Sequence, residues 1–283
     1  IHAPRSPTGS YCPHLQKGNP NEFGNYRPIA LLNSVYKIFA SLLHRRIEAT
    51  LDEHLHQHQY GFRKHRGTRD AIHCVRRAMD VGEATVFPVH LLLLDWEKAF
   101  DKVTHAGVLN ALQRAKVAPE LVDLVHMLYS HPSFFVEQMG YESEYHEQQA
   151  GIRQGCPLSP YLFLVVMHTI FADVHELLQH EGSLRRNRIR GIPFDQILYA
   201  DDTICMSTCP RALTLLLQTI EAVSRDYGLH LNKPKCKLLS VQRPGIVPPR
   251  VLFSTGEPVQ TTEEERYLGV YLNHKCNITK EIR

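Results

Sequence analysis

Apolar residues recur along this chain with two different periods. Leu32, Val35, Ile38, Phe39, Leu42 and Leu43 return at helical spacing, with Arg45 and Arg46 near the end, where cations suit the helix dipole. That pattern predicts a helix burying this stripe. Residues 86–96 form a continuous β-rich apolar run and predict a buried strand. Two amphipathic helices are expected around 106–115 and 119–129, then a strand pair at 134–139 and 145–150. A long helix follows over about 157–179, with Pro near its first turn. Two short apolar strands, 197–200 and 203–206, flank a pair of acids. A helix over 211–227 stops at Gly228. The remainder, around Val241, 251–253 and 267–272, reads as strand, and residues 1–25, rich in Pro, Gly, Asn and Ser, as loop or irregular hairpin. Helices beside largely hairpin-connected strands make an α+β chain.

Composition narrows the function classes. With 43% hydrophobic and 22% charged residues the 283-residue chain has enough core to fold, which excludes wholesale disorder. The apolar run 161–172 contains His168 and is shorter than the roughly 20 residues a membrane span needs, so no membrane association is expected. The net charge of +3 hides a partition. Residues 1–80 carry 12 basic and 6 acidic side chains, 81–184 carry 5 and 13, and 185–283 carry 15 and 10. Seven irregularly spaced cysteines suit reduced thiols in an intracellular, nuclear or cytoplasmic, setting. Cys205 and Cys209 have a spacing that could suit zinc, but no second Cys/His pair lies at a finger-like distance, and buried thiols are the simpler reading. His54, His56 and His58 read as a polar connector. A start at Ile1 without a signal-peptide pattern suggests a piece of a longer polyprotein.

Two carboxylate features carry the candidate chemistry. Asp95 stands where the apolar strand ends, and Asp201 and Asp202 sit side by side at a tight turn. Successive strand side chains point to opposite faces, so only a turn lets adjacent acids converge. Converging hard oxygens are what Mg²⁺ prefers, with water and phosphate completing its shell. Taken alone, the Asp pair is equally a solvated hairpin tip.

The company these acids keep resolves the choice. Five blocks occur in order: Asn-Tyr-Arg-Pro-Ile-Ala-Leu-Leu-Asn at 25–33, Gln-Tyr-Gly-Phe-Arg-Lys-His-Arg-Gly-Thr at 59–68, Leu-Asp-Trp-Glu-Lys-Ala-Phe-Asp at 94–101, Gly-Ile-Arg-Gln-Gly-Cys-Pro-Leu-Ser-Pro at 151–160 and Tyr-Ala-Asp-Asp at 199–202. Gly228-Leu229 with Asn232 and Lys235, then Tyr267-Leu268-Gly269, complete the set. From about Lys17 to Leu272 the chain resembles the reverse transcriptases of non-long-terminal-repeat (LINE-type) retrotransposons.

The resemblance implies a right-hand polymerase of fingers and palm, an antiparallel palm sheet backed by helices, and a thumb absent or truncated. Residues 1–90 would be mainly fingers and 91–283 mainly palm, with interleaved fingers elements at about 130–160 and a primer-grip hairpin near the C-terminal end. Asp95, Asp201 and Asp202 match the palm acids. Asp95 and Asp201 would be the main ligands of two Mg²⁺ ions, replaceable by Mn²⁺, with the Trp96 carbonyl helping and Asp202 contributing more weakly. Trp96 stands where Phe or Tyr is usual. Phe100 matches the residue that abuts the incoming sugar and excludes a 2′-hydroxyl. Arg27 matches a triphosphate-gripping arginine, a role its planar donor fork suits. Lys17 stands where a fingers lysine often occurs. Gln154 and Gly155 would contact nucleotide or template, and Arg63 and Arg66 template phosphate or the base-pair stack. Lys235 matches a lysine that protonates pyrophosphate, with Lys233 and Lys237 as neighbours that keep the choice open. Tyr267, Leu268 and Gly269 resemble the primer grip.

The implied activity is RNA-directed DNA synthesis from deoxynucleoside triphosphates on an RNA template and DNA primer, with the endonuclease and thumb of the polyprotein lying outside this chain. A group II intron-type enzyme would share the acids and add a maturase region. A catalytically inactive RNA-binding descendant is expected to have lost at least one acid, and all three are present.

Overall fold

A computed structural model of the chain describes all residues except 1–8, 16–18, 20–25, 86, 139, 183–187, 244–245, 248 and 277–283. The chain divides into two compact units. Unit 1 comprises residues 1–54 and 98–169, and unit 2 comprises 55–97 and 170–283.

Unit 1 holds strands β1 (Gly9–Leu15), β2 (Tyr26–Leu31), β4 (Ser133–Gln138), β5 (Tyr141–Glu142) and β6 (His146–Glu147) in the order β2-β1-β4-β5, with β6 also on β4. Of the loop or irregular hairpin expected over 1–25, the described residues 9–15 form β1, paired antiparallel with β2. Its Pro13 opposes Pro28 of β2, and β4 pairs only with Gly9–Tyr11, so the proline ring interrupts no ladder bond to β4. The helices are α1 (Ser34–Leu51), α3 (Ala99–Lys102), α4 (His105–Arg114) and α5 (Pro119–Tyr129), and α6 (Ser159–Leu178) runs on into unit 2. Asn33 caps α1 by accepting from the Tyr36 amide at 2.7 Å, and Thr104 caps α4 through the Gly107 amide at 3.0 Å.

Helix α1 buries a face rotated from its predicted stripe. Leu43 of that stripe is buried with Tyr36, Ala40, Ile47 and Leu51, and Leu32 just before the helix is buried, whereas Val35, Ile38 and Leu42 are 77%, 63% and 54% exposed. Both sides of this helix are apolar, and periodicity alone cannot choose between two apolar faces.

Unit 2 is built on a five-stranded sheet, β10-β9-β3-β8-β7, made of β3 (Val89–Leu94), β7 (Gln196–Tyr199), β8 (Asp202–Ser207), β9 (Lys237–Val241) and β10 (Gln260–Thr262). The pairs β3–β8, β3–β9 and β7–β8 are antiparallel, but β10 joins β9 in parallel, so the expected antiparallel sheet has one parallel edge. A separate hairpin joins β11 (Glu264–Tyr267) to β12 (Val270–Asn273). The expected strand at 251–253 reduces to an isolated bridge between Leu252 and Pro258.

Helix α2 (Thr68–Ala84) is absent from the sequence expectation. The Asp70 carboxylate reaches back to the Gly67 amide at 2.8 Å, and Ala71, Val75, Ala78 and Met79 pack with Val89, Leu91, Leu93, Ile204 and Leu239. Helix α7 (Pro210–Arg225) lies against β8, starts on proline and is followed by Gly228 at φ 76°. All six residues of β3 are buried, which accounts for its apolar composition apart from His90. Helix α6 is long and apolar enough to cross a membrane, yet 67% of its apolar window is buried inside the protein, as in a core helix. All seven cysteines are free, and Cys205 is buried in β8.

One polar residue interrupts β3. His90 is 2% exposed, its Nδ1 lies 2.9 Å from the Ser240 hydroxyl, and burial pushes its pKa down from 6.5 to about 4. Above pH 6.5 the ring is neutral whether folded or unfolded. As pH falls from 6.5 to 4 only the unfolded chain takes up the proton, so stability drops by up to about 3 kcal/mol from this group. Urea unfolding at pH 7 and pH 5 is expected to show about 2 kcal/mol of that loss, and His90→Gln to flatten the slope; an unchanged slope would remove His90 as its source.

Candidate active site

Strand pairing in unit 2 gathers the acids. Leu94 of β3 opposes Thr203 of β8, which sets Asp95, one residue on, beside Asp202. Tyr199 pairs with Asp202, leaving Ala200 and Asp201 as a two-residue turn. Ala200 takes φ 56°, a left-handed conformation that costs a residue with a β-carbon roughly 1–2 kcal/mol. The strained turn lets the adjacent acids approach one region, which an extended strand would forbid.

The block 59–68 supports this turn. The Tyr60 amide donates to the Leu198 carbonyl at 2.8 Å, and the Leu198 amide to the His58 carbonyl at 2.9 Å. Gly61 has a specific steric cause: a β-carbon there would stand 2.3 Å from the Ala200 nitrogen. Arg63 is 8% exposed and donates to the carbonyls of His56 at 3.2 Å and Gln59 at 3.5 Å. Arg66 donates to the Gln57 carbonyl and lies 5.7 Å from the Tyr60 ring centroid. Both arginines expected at template thus make contacts within their own segment.

Trp96 closes the other side. Its indole N–H donates to the Thr203 hydroxyl at 3.3 Å. Trp96 bridges Leu231 through flanking bonds, the Asn232 amide to the Asp95 carbonyl at 2.8 Å and the Glu97 amide to the His230 carbonyl at 2.9 Å. The Trp96 carbonyl takes no part in that pair.

The three lysines near residue 235 differ in their partners. Lys235 Nζ lies 4.0 Å from Asp95 Oδ1. Lys233 donates to the Thr255 hydroxyl at 3.0 Å and pairs with Glu221 and Glu257 at 3.8 and 3.7 Å. Lys237 bonds the Pro234 carbonyl at 3.1 Å and the Gln260 side chain. Of the three, Lys235 is the one ion-paired to an acid of the trio.

Ionisation reflects the crowding. The surrounding protein, then the Asp201 and Asp95 carboxylates, push Asp202 up to about 6. Asp95 is also raised, by burial first and by Asp201, against the lowering effects of Lys235 and an Asn232 hydrogen bond. Among the described residues no three His, Cys, Asp or Glu side chains close into a ready-made metal cage. The donors do fit a hard ion that keeps water and phosphate ligands: all are oxygens, and their mutual repulsion favours a cation. Asp95, Asp202 and Lys235 line a small cleft of about 90 Å³ with Glu265, Arg266 and Tyr267. Leu268 and Gly269, at φ 47° and 91°, form the two-residue turn of the β11–β12 hairpin that carries Tyr267. Roomier cavities of about 370 and 860 Å³ elsewhere in unit 2 include none of the three acids.

The remaining candidates belong to unit 1. The Phe100 ring stacks on Phe163 at 4.8 Å between centroids. Gln154 donates to Asp101 Oδ1 at 2.8 Å, and its carbonyl accepts from the Ala30 amide at 2.8 Å. A β-carbon on Gly155, at φ 105°, would stand 2.9 Å from the Ala30 carbonyl oxygen. Burial raises Asp101, while Gln154, Lys98 and Arg27 act against the shift. Arg27 is exposed on β2, opposite His14 of β1. Lys17 lies outside the described residues. Sequence reasoning missed Asp101 and Gln59; the block membership of both was the available signal.

The chain superposes on a telomerase from Candida tropicalis in complex with a fragment of telomeric RNA at TM-score 0.68, covering 99% of this chain and 45% of that one, at 12% identity. The common feature is a mixed α/β fold with fingers- and palm-type sheets backed by helices. The model of the family "Reverse transcriptase (RNA-dependent DNA polymerase)" matches residues 15–272, and the chain belongs to that family. It is 27% identical over 284 residues to the RNA-directed DNA polymerase from mobile element jockey of Drosophila melanogaster, covering 95% of this chain and 29% of that protein. It is 25% identical over 260 residues to the Pol polyprotein from type-1 retrotransposable element R2 of Nasonia vitripennis, covering 88% and 24%. The chain thus spans under a third of the length of these curated relatives.

In the metal-free protein, Asp201→Asn is expected to move the Asp202 midpoint below 6, because one of the charges raising it is gone. Lys235→Ala is expected to move Asp95 further up. Carboxyl-carbon NMR titration checks both, and shifts of opposite sign would refute this account of the site.

Proposed function

We propose that this chain is the catalytic part of an RNA-directed DNA polymerase of a non-long-terminal-repeat retrotransposon, extending a DNA primer on an RNA template. The observation that carries this reading is the convergence of Asp95, Asp201 and Asp202 at one sheet end, with Lys235 on Asp95. Residues 1–90 are read as mainly fingers and 91–283 as mainly palm, with fingers elements interleaved at about 130–160, and the endonuclease and a full thumb are assigned to other parts of a longer polyprotein.

In the reaction the primer 3′-oxygen forms a bond to the α-phosphorus of a deoxynucleoside triphosphate as the bond to the β-phosphate bridging oxygen breaks. Two Mg²⁺ ions, replaceable by Mn²⁺, would be held by Asp95 and Asp201 with help from Asp202 and the Trp96 carbonyl, and would supply a more nucleophilic hydroxyl and charge neutralisation. The protein contributes alignment. Lys235, already drawn to Asp95, is the proton donor to the departing pyrophosphate, and Arg27 grips the triphosphate through its donor fork. Phe100 abuts the sugar and disfavours a 2′-hydroxyl. Gln154, steadied by Asp101, and Gly155, with its bare backbone, form the nucleotide-side loop, with Lys17 as a further fingers cation. Tyr267, Leu268 and Gly269 grip the primer end. Arg63 and Arg66 shape the template-side loop, a role supported by their contacts to its carbonyls. The intact acid trio favours an active enzyme over a descendant that only binds RNA.

With Mg²⁺ or Mn²⁺ the protein is expected to extend oligo(dT) on poly(rA), and Asp95→Ala or Asp201→Ala to reduce incorporation at least about 10²-fold. Equal incorporation by the Asp variants would sink the reading. Lys235→Ala is expected to lower kcat by roughly 10²-fold, with Lys233→Ala near wild type on a per-folded-molecule basis; the reverse order would reassign the proton donor. Phe100→Ala should admit ribonucleotides, read as a higher ribo/deoxy ratio of kcat/KM.

A further inference from the structure

The Gln59 side chain performs a task that none of the roles above requires. It is 2% exposed, and its Oε1 accepts from two backbone amides at once, Ala200 at 3.1 Å and Gly61 at 3.0 Å. Ala200 is the left-handed residue of the turn, and Asp201 and Asp202 are the next two residues. The Ala200 amide is itself buried, with the residue 5% exposed, so without Oε1 it would lose its acceptor where water cannot readily replace it. The segment bearing Gln59 is fixed to the same hairpin by the two amide bonds on either side of Leu198, and its carbonyl is held by the Arg63 guanidinium. Gly61 removes the one β-carbon that would push the two segments apart.

We infer that Gln59 is a positioning residue for the acid-bearing hairpin: its amide oxygen holds the strained Ala200 turn in the conformation that directs Asp201 and Asp202 to one region. The inference rests on the polymerase reading for its effect on rate, though not for its effect on the turn. Gln59 Nε2 has no hydrogen-bond partner among the described residues, so the acceptor atom alone carries the function. A side chain that keeps an oxygen in that place keeps the function, and one of similar length without an oxygen loses it.

The test compares Gln59→Met with Gln59→Glu in the 283-residue chain. The Met variant is expected to lower kcat about tenfold or more while the KM for dTTP stays within about twofold, the pattern of a lost transition-state alignment. Its Ala200 amide is expected to exchange with solvent at least about tenfold faster, while the Leu198 amide stays protected. Binding of Mn²⁺ alone, followed by electron paramagnetic resonance, should weaken in parallel. The Glu variant should keep Ala200 protection, whatever its added carboxylate costs kcat beside the acids. A Met variant with wild-type kcat and Ala200 protection overturns the inference, as does a Glu variant whose Ala200 amide exchanges as fast as in the Met variant. If the Met variant unfolds, the Glu variant's Ala200 protection still decides. A wild-type chain that incorporates nothing defeats the polymerase reading, whereas the exchange comparison still decides whether Gln59 holds the turn.

Discussion

Three carboxylates are held close together against their own repulsion, and the pairing of β3 with β8 makes that possible. Because Leu94 faces Thr203, Asp95 comes level with Asp202, and a one-residue slip would turn every side chain of one strand to the other face. The register is held by burial on both faces of β3, where Val89, Leu91 and Leu93 meet α2. The Trp96 indole on Thr203 pins the strand end beside the acids. Repulsion that would splay an isolated hairpin is thus set against a core that cannot shift without opening. The raised Asp202 pKa reflects burial first and then the charges of Asp201 and Asp95.

The acid trio was legible because an acid at a strand end and paired acids in a turn are marked in the sequence by an apolar run that stops on Asp95 and by two short apolar strands around Asp201 and Asp202. Their three-dimensional supports were less visible. Gln59 and Gly61 stood in a motif block with no role of their own, since nothing in one dimension reveals that their segment crosses beside Leu198 and Ala200. Arg63 was expected at template phosphate or the base-pair stack, and what one dimension hid is that its guanidinium also donates to the His56 and Gln59 carbonyls of its own segment.

The fold shows the same division. Helices α4, α5, α6 and α7 followed from periodicity and proline or glycine boundaries. Helix α2 escaped because its buried stripe is built from Ala71, Ala78 and Gly82 as well as Val75 and Met79, so the pattern is weakly hydrophobic although the packing is tight. Helix α1 failed in the opposite way: it offers two apolar sides, and the choice between them depends on a partner rather than on the helix. For β1 the choice between loop and irregular hairpin stayed open because of Pro13, whose place opposite Pro28 is a tertiary fact.

The lysines carry this reasoning furthest. Lys233, Lys235 and Lys237 alternate within five residues and are chemically identical, so spacing alone cannot say which one serves the reaction. What separates them is prior engagement. Lys233 faces Glu221 and Glu257, and Lys237 reaches a carbonyl and Gln260, whereas Lys235 is drawn to Asp95 at 4.0 Å. A proton donor must be near the reacting phosphates and still able to leave its resting partner. An ion pair at 4.0 Å on a partly exposed carboxylate is loose enough for that exchange, because such pairs contribute only about 0–1 kcal/mol. The weak contact therefore stations the charge beside the acids without holding it there.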